Sequence, residues 1–130
     1  MPTDLTGWRK ALLGARVLWE LARYDLLFAL RGMQGVRPRR RPPEGRDDAR
    51  RERDICDAVR SVAPFYWKPI RCLQRSIVTA RLMRSHGIPA EVVVGYRPSP
   101  FFGHAWVEVS GRVANDSPVY QSRLQVLERF

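Results

Sequence analysis

Apolar residues recur every three, four and seven positions between Thr6 and Leu30, in two sets: Leu12, Trp19 and Leu26, and Leu13, Val17, Leu21, Tyr24 and Phe28. That spacing predicts one long helix with a wide apolar face. A second helix is predicted from about Asp47 to Val62, with Ile55, Ala58, Val59 and Val62 on one side and Pro64 stopping it. A third is expected to open with Pro69 in its first turn, where a missing amide proton costs nothing. It turns Leu73, Ile77, Ala80 and Met83 inward and closes at Gly87, with Ile88 as the apolar residue after the cap and Pro89 barring continuation. Beyond it the pattern shortens: Ala90 to Tyr96, Phe102 to Val109 and Arg112 to Asp116 read as strands, the first two separated by the turn Pro98, Ser99, Pro100. Helices followed by a small sheet make an α+β chain.

The last two strands invite a register. A two-residue loop of Ser110 and Gly111 pairs Val109 with Arg112, puts Val113 on the face of Glu108 and so splits the apolar residues between faces. A three-residue loop of Val109, Ser110 and Gly111 is the next common hairpin and is the register expected here. It sets Glu108 opposite Arg112, Val107 opposite Val113 and His104 opposite Asp116. Ala105, Val107 and Val113 then form the core face, and His104, Trp106, Glu108, Arg112, Ala114 and Asp116 the other.

Between the first two helices the chain turns polar. From Arg31 to Arg53 there are nine arginines against four acids, punctuated by glycine and proline, which predicts a linker. The division expected is an amphipathic helical extension over 1–34, a basic linker over 35–46 and a catalytic domain over 47–130. With 130 residues, one domain and a moderate core are expected. The net charge of +10 favours acidic partners, nucleic acid or an anionic membrane surface. Prolines in the Arg37 to Arg41 cluster forbid a recognition helix and no aromatic residue is interleaved for stacking, so specific nucleic-acid binding is not expected. The first helix carries Arg16, Glu20, Arg23 and Asp25, charges a membrane span disfavours. Packing on the domain behind it is the simplest role; docking a partner protein, or lying on a membrane surface, are the alternatives.

Candidate chemistry gathers in the C-terminal half. Cys72 falls in the first turn of the third helix, where unpaired amides and the helix dipole favour a thiolate. His104 lies on a strand as candidate base, and Asp116 is placed to orient the ring. The Cys72 amide is the natural first oxyanion donor, with Trp67 and Gln74 as candidates for the second. Trp106 and Phe101 are candidate substrate contacts. Taken singly, each has a bland reading: a core cysteine, a histidine satisfied by a carbonyl, a turn-forming aspartate. The conjunction of the three is what points to nucleophilic catalysis. Cys56 has no histidine on its own helix and is expected to be a buried structural thiol. His86 is isolated and no CxxC or HxxxH spacing occurs, so neither a metal nor another cofactor is expected. Two cysteines and no signal peptide point to a reducing cytoplasm.

Cys72, Leu73, Arg75 and Ser76, then Gly87 to Ala90, and above all His104, Ala105, Trp106, Val107, Glu108 followed by Asn115 to Pro118, resemble the transglutaminase-like leader peptidases of lasso peptide biosynthesis, the B2 proteins. The resemblance runs from about Trp67 to Phe130. It implies a papain-like core in which a helix bearing the nucleophile packs on a small antiparallel sheet, preceded by N-terminal helices. It further implies that Cys72, His104 and Asp116 are a catalytic triad cutting the leader from a ribosomally made precursor peptide. A separate B1-type recognition protein and an ATP-using lasso cyclase are the implied partners, and the first helix with its arginine-rich linker is expected to help hold the recognition protein or the acidic stretches of a leader. Two other readings compete: a transglutaminase-like acyltransferase or amidase using the same triad, and a non-enzymatic basic adaptor.

Overall fold

The two apolar sets of the first helix part company on folding. In the computed structural model, which describes residues 3–36, 45, 46, 48–115 and 124–130, α1 runs over Thr3–Arg31. Val17, Leu21 and Tyr24 are buried in the core with Leu13 packed beside them, whereas Trp8, Leu12, Trp19, Leu26 and Leu30 stay more than half exposed. A short α2 (Met33–Val36) follows within the stretch expected as extension and linker, and buries Val36; residues 37–44 of that linker lie outside the described residues.

α3 (Ala49–Val62) begins two residues later than its pattern suggested, because Asp48 caps it: the side chain accepts from the Arg51 amide at 3.1 Å. Glu52 returns the favour by accepting from the Asp48 amide at 3.1 Å, so two end amides are satisfied reciprocally. Ile55 and Val59 face inward. A single 3-10 turn, Ala63–Phe65, ends this helical stretch.

α4 (Cys72–Ser85) starts at Cys72 and not at Pro69. Arg71 is extended (φ −84°, ψ 164°) and the first backbone bond runs from the Arg75 amide to the Arg71 carbonyl at 3.0 Å, so Pro69 belongs to the irregular lead-in. The other end matches its sequence: the Gly87 amide donates to Arg84 and the Ile88 amide to Met83, both at 3.0 Å, the two bonds of a Schellman cap. Ile77, Val78, Ala80, Leu82 and Met83 are all buried, because α4 is sandwiched between the α1–α3 layer and the sheet.

The sheet has four antiparallel strands in the order β3-β2-β1-β4, with β1 at Ala90–Pro98, β2 at Phe101–Val109, β3 at Arg112–Val113 and β4 at Gln125–Arg129. β4 was not anticipated; it pairs with β1 at the free edge. The hairpin register is corrected as well. Val109 pairs with Arg112 and Glu108 with Val113, so the loop is Ser110 and Gly111 alone, both left-handed at φ 52° and 81°, the conformation of a type I′ turn. Arg112 and Ala114 therefore share the helix side with Val107 and Val109. Arg112 is accommodated there because its Nη2 reaches the buried Glu52 carboxylate at 2.9 Å, and Ala114 packs against the core. The opposition of His104 to Asp116 loses its basis in register, and Asp116 itself lies outside the described residues.

Candidate active site

Helix α4 carries Cys72 as its first residue, and strand β2 carries His104 near its midpoint. The α4–β1 connection is tight, closed by the Arg84 Nε bond to the Ala90 carbonyl at 2.7 Å, so β1 runs back along the helix. Fourteen residues of helix rise about 21 Å, and the strand from Ala90 to Gly95 spans about 17 Å. Gly95 pairs with His104, so His104 lies on the part of the sheet away from the α4–β1 connection. Asn115 ties the two elements together: its Oδ1 accepts from the Val107 amide at 2.8 Å and its Nδ2 donates to Ser76 Oγ at 3.5 Å.

Cys72 is half-buried and is the first residue of α4, and the side chain of the N-cap residue Arg71 makes no capping hydrogen bond among the described residues. The first amides of a helix have no intrahelical acceptor and mark the positive end of its dipole. Cys56 contrasts with Cys72. Its Sγ donates to the Ala114 carbonyl at 3.6 Å, and burial, offset in part by Arg60, pushes its thiol up to about 11.

His104 is half-buried with its ring between those of Phe102 and Trp106, each centroid 6.1 Å away. Strand alternation sets His104, Trp106 and Glu108 on the side of β2 opposite Val107 and Val109.

Trp106 is 1 % exposed, so it is no surface for substrate, contrary to its sequence-based assignment. Its Nε1 donates to Glu108 Oε2 at 2.8 Å, and Arg129 of β4 donates to the other oxygen at 2.8 Å. The ring lies across Gly95, where an added Cβ would stand 2.7 Å from it. Trp106 is thus a packed support alongside His104. Phe101 is 78 % exposed at the mouth of β2, and Trp67 is 77 % exposed on the lead-in to α4, lining a shallow groove with Pro64, Tyr66 and Ile70. Gln74 is buried, and its amide nitrogen donates to the Leu21 carbonyl at 3.3 Å and to Asp25 Oδ1 at 3.2 Å; it is turned toward α1.

Asp25 was read from sequence only as a charge interrupting an apolar helix. Besides Gln74, its carboxylate accepts from the Tyr66 hydroxyl and meets Lys68 Nζ at 2.6 Å. Burial first, and then the hydrogen bond to Asp25, hold the Tyr66 phenol above its ordinary value. Tyr24 is raised by burial, then by the charges of Asp25 and Cys72.

Among the described residues, no three His, Cys, Asp or Glu side chains gather where a metal ion could be held, and no helix is long and apolar enough to cross a membrane.

Comparison with known proteins agrees with this architecture. No solved structure matches the chain significantly. A 56-residue stretch is 43 % identical to the Microcin J25-processing protein McjB of Escherichia coli, covering 43 % of this chain and 27 % of that protein, so the chain matches about a quarter of its relative's length. The Transglutaminase-like superfamily model matches residues 11–129, from within α1 to the end of β4. A central helix, a small antiparallel sheet and a match over nearly the whole length establish that the chain belongs to the transglutaminase-like superfamily.

Proposed function

We propose that this chain is a cysteine peptidase that removes the leader from a ribosomally synthesised lasso peptide precursor. What supports the reading is Cys72 as the first residue of α4, in a chain of the transglutaminase-like superfamily that carries His104 on β2. The 43 % identity to a microcin-processing protein supports the choice of substrate.

In this mechanism His104 takes the Cys72 proton, and the thiolate attacks the scissile carbonyl while the amides of the first helical turn hold the oxyanion. The imidazolium returns the proton to the departing amine, and water attacks the thioester to release the leader acid and regenerate the thiol. Asp116 orients the imidazole. Trp67, exposed on the lead-in, remains a candidate second donor; Gln74 is engaged with α1 and is not assigned that role. Phe101, exposed beside the strand that bears His104, is assigned to substrate contact.

A separate leader-recognition protein presents the precursor, and a lasso cyclase takes the freed core peptide. The exposed face of α1, with Trp8, Leu12, Trp19 and Leu26 beside Arg9, Arg16 and Arg23, suits an apolar partner surface rimmed with acids.

Mass spectrometry of precursor incubated with this chain and its recognition protein tests the reading. Two fragments whose masses sum to the precursor plus one water are expected, and none with Cys72→Ala. Cleavage that survives Cys72→Ala sinks the proposal, and a product formed by loss of ammonia replaces hydrolysis with acyl transfer.

A further inference from the structure

Cys72 begins α4, and the chain on both sides of it is held by one residue of α1. Four positions before the thiol, Lys68 Nζ lies 2.6 Å from Asp25 Oδ1, and two before that, the Tyr66 hydroxyl donates to Oδ2. Two positions after the thiol, the buried Gln74 amide donates to Asp25 Oδ1 at 3.2 Å and to the Leu21 carbonyl at 3.3 Å. Between Tyr66 and Arg71 the chain forms no helix or strand, so these side-chain bonds do for the lead-in what backbone bonds do elsewhere.

We propose that Asp25 is a positioning residue of the Cys72 centre, a single carboxylate that fixes the lead-in and the first turn of α4 and thereby sets where the thiol points. The inference deepens the cysteine reading above and rests on it for its catalytic meaning. Ion pairing with Lys68 balances the carboxylate, so it anchors without presenting an uncompensated negative charge to a thiolate. Gln74, two residues past the thiol, bonds both the Leu21 carbonyl and Asp25, so this part of α1 lies against the first turn of α4. Misplacing a reacting group by about 1 Å can cost about a hundredfold in rate, so loosening this clamp reaches the chemistry without touching substrate.

The test compares Asp25→Ala and Asp25→Asn with Glu20→Gln in the full chain. Glu20 is a buried acid on the same helix, bonded to Arg81 Nε at 2.8 Å in the body of α4, and controls for general weakening of the α1–α4 contact. The readouts are the thermal midpoint, the pH midpoint and rate of Cys72 alkylation by iodoacetamide mapped by mass spectrometry, and precursor cleavage. Asp25→Ala is expected to move the alkylation midpoint by about half a pH unit or more and to slow cleavage about tenfold to a hundredfold. Asp25→Asn, which keeps an acceptor, recovers part of the loss, and Glu20→Gln leaves the alkylation midpoint where it was. An unchanged midpoint in Asp25→Ala, or an equal change in Glu20→Gln, overturns the proposal. Because alkylation reads the thiol without any peptide substrate, a wrong substrate assignment shows up only in the cleavage assay.

Discussion

Lys68 Nζ and Asp25 Oδ1 stand 2.6 Å apart, and this pair fastens the lead-in of the nucleophile-bearing helix to the first helix of the chain. With Val17, Leu21 and Tyr24 buried in the same core, α1 is a wall of the folded unit. A chain beginning at residue 35 is therefore expected to lose its cooperative thermal transition, since removing three buried side chains at about 2–5 kcal/mol each exceeds what a small domain can spare. Circular dichroism melts of the truncated and intact proteins check this.

Arg112 joins the β2–β3 hairpin to α3 through the buried Glu52. Replacing Arg112 by Ala is expected to destabilise the protein by about 1–3 kcal/mol, the range for a buried acceptor deprived of a partner. Urea titration measures it, and the double change Arg112→Ala with Glu52→Gln should recover part of the loss, because the remaining group is then uncharged.

Gly95 lies under the Trp106 ring. A methyl group there meets ring carbons at 2.7 and 2.9 Å and the Gln125 carbonyl at 3.2 Å, so Gly95→Ala must displace either the indole or β4. A loss of about 1–3 kcal/mol is expected, again readable in urea, together with slower Cys72-dependent cleavage because His104 stacks on the displaced ring.

Burial holds the Cys56 thiol protonated, up to about 11 from a reference near 9. A folded-state value raised above the unfolded one contributes stability that is complete below about pH 9 and is lost as the pH rises toward 11. Wild-type protein should lose this increment between those limits, whereas Cys56→Ala should show a flatter dependence. At neutral pH iodoacetamide should label Cys72 in preference to Cys56, which peptide mapping resolves.

Period and cap chemistry were enough to locate α1, α3, the end of α4 and the first two strands, since these depend on neighbours three to five residues away. What escaped the sequence depends on partners far along it. A two-residue hairpin loop splits the apolar residues by putting Val113 on the face of Glu108, which favours the three-residue loop from sequence; the Glu52 that accommodates Arg112 on the helix side lies 60 residues earlier. β4, with Val126 and Leu127 both largely exposed, has no alternating pattern and becomes a strand only by pairing with β1. Trp106 resembled a substrate contact because of its place beside His104; the acceptor and cation that complete its burial, Glu108 and Arg129, come together only in the folded sheet. Asp25 gave no local sign of its partners, which are 41 and 49 residues away at Tyr66 and Gln74. Cys72 and His104 stand out in the sequence as candidates, and the fold adds the Gly95–His104 pairing that places the histidine on the sheet.

Of the four tryptophans, Trp8, Trp19 and Trp67 are more than half exposed and Trp106 alone is sealed. The protein thus carries its own optical probe. Iodide in solution should quench the emission of the three exposed indoles and leave a blue-shifted signal from Trp106, the ring stacked against His104. A peptide arriving at that end of the sheet would perturb this residual emission, giving a binding readout with no added label.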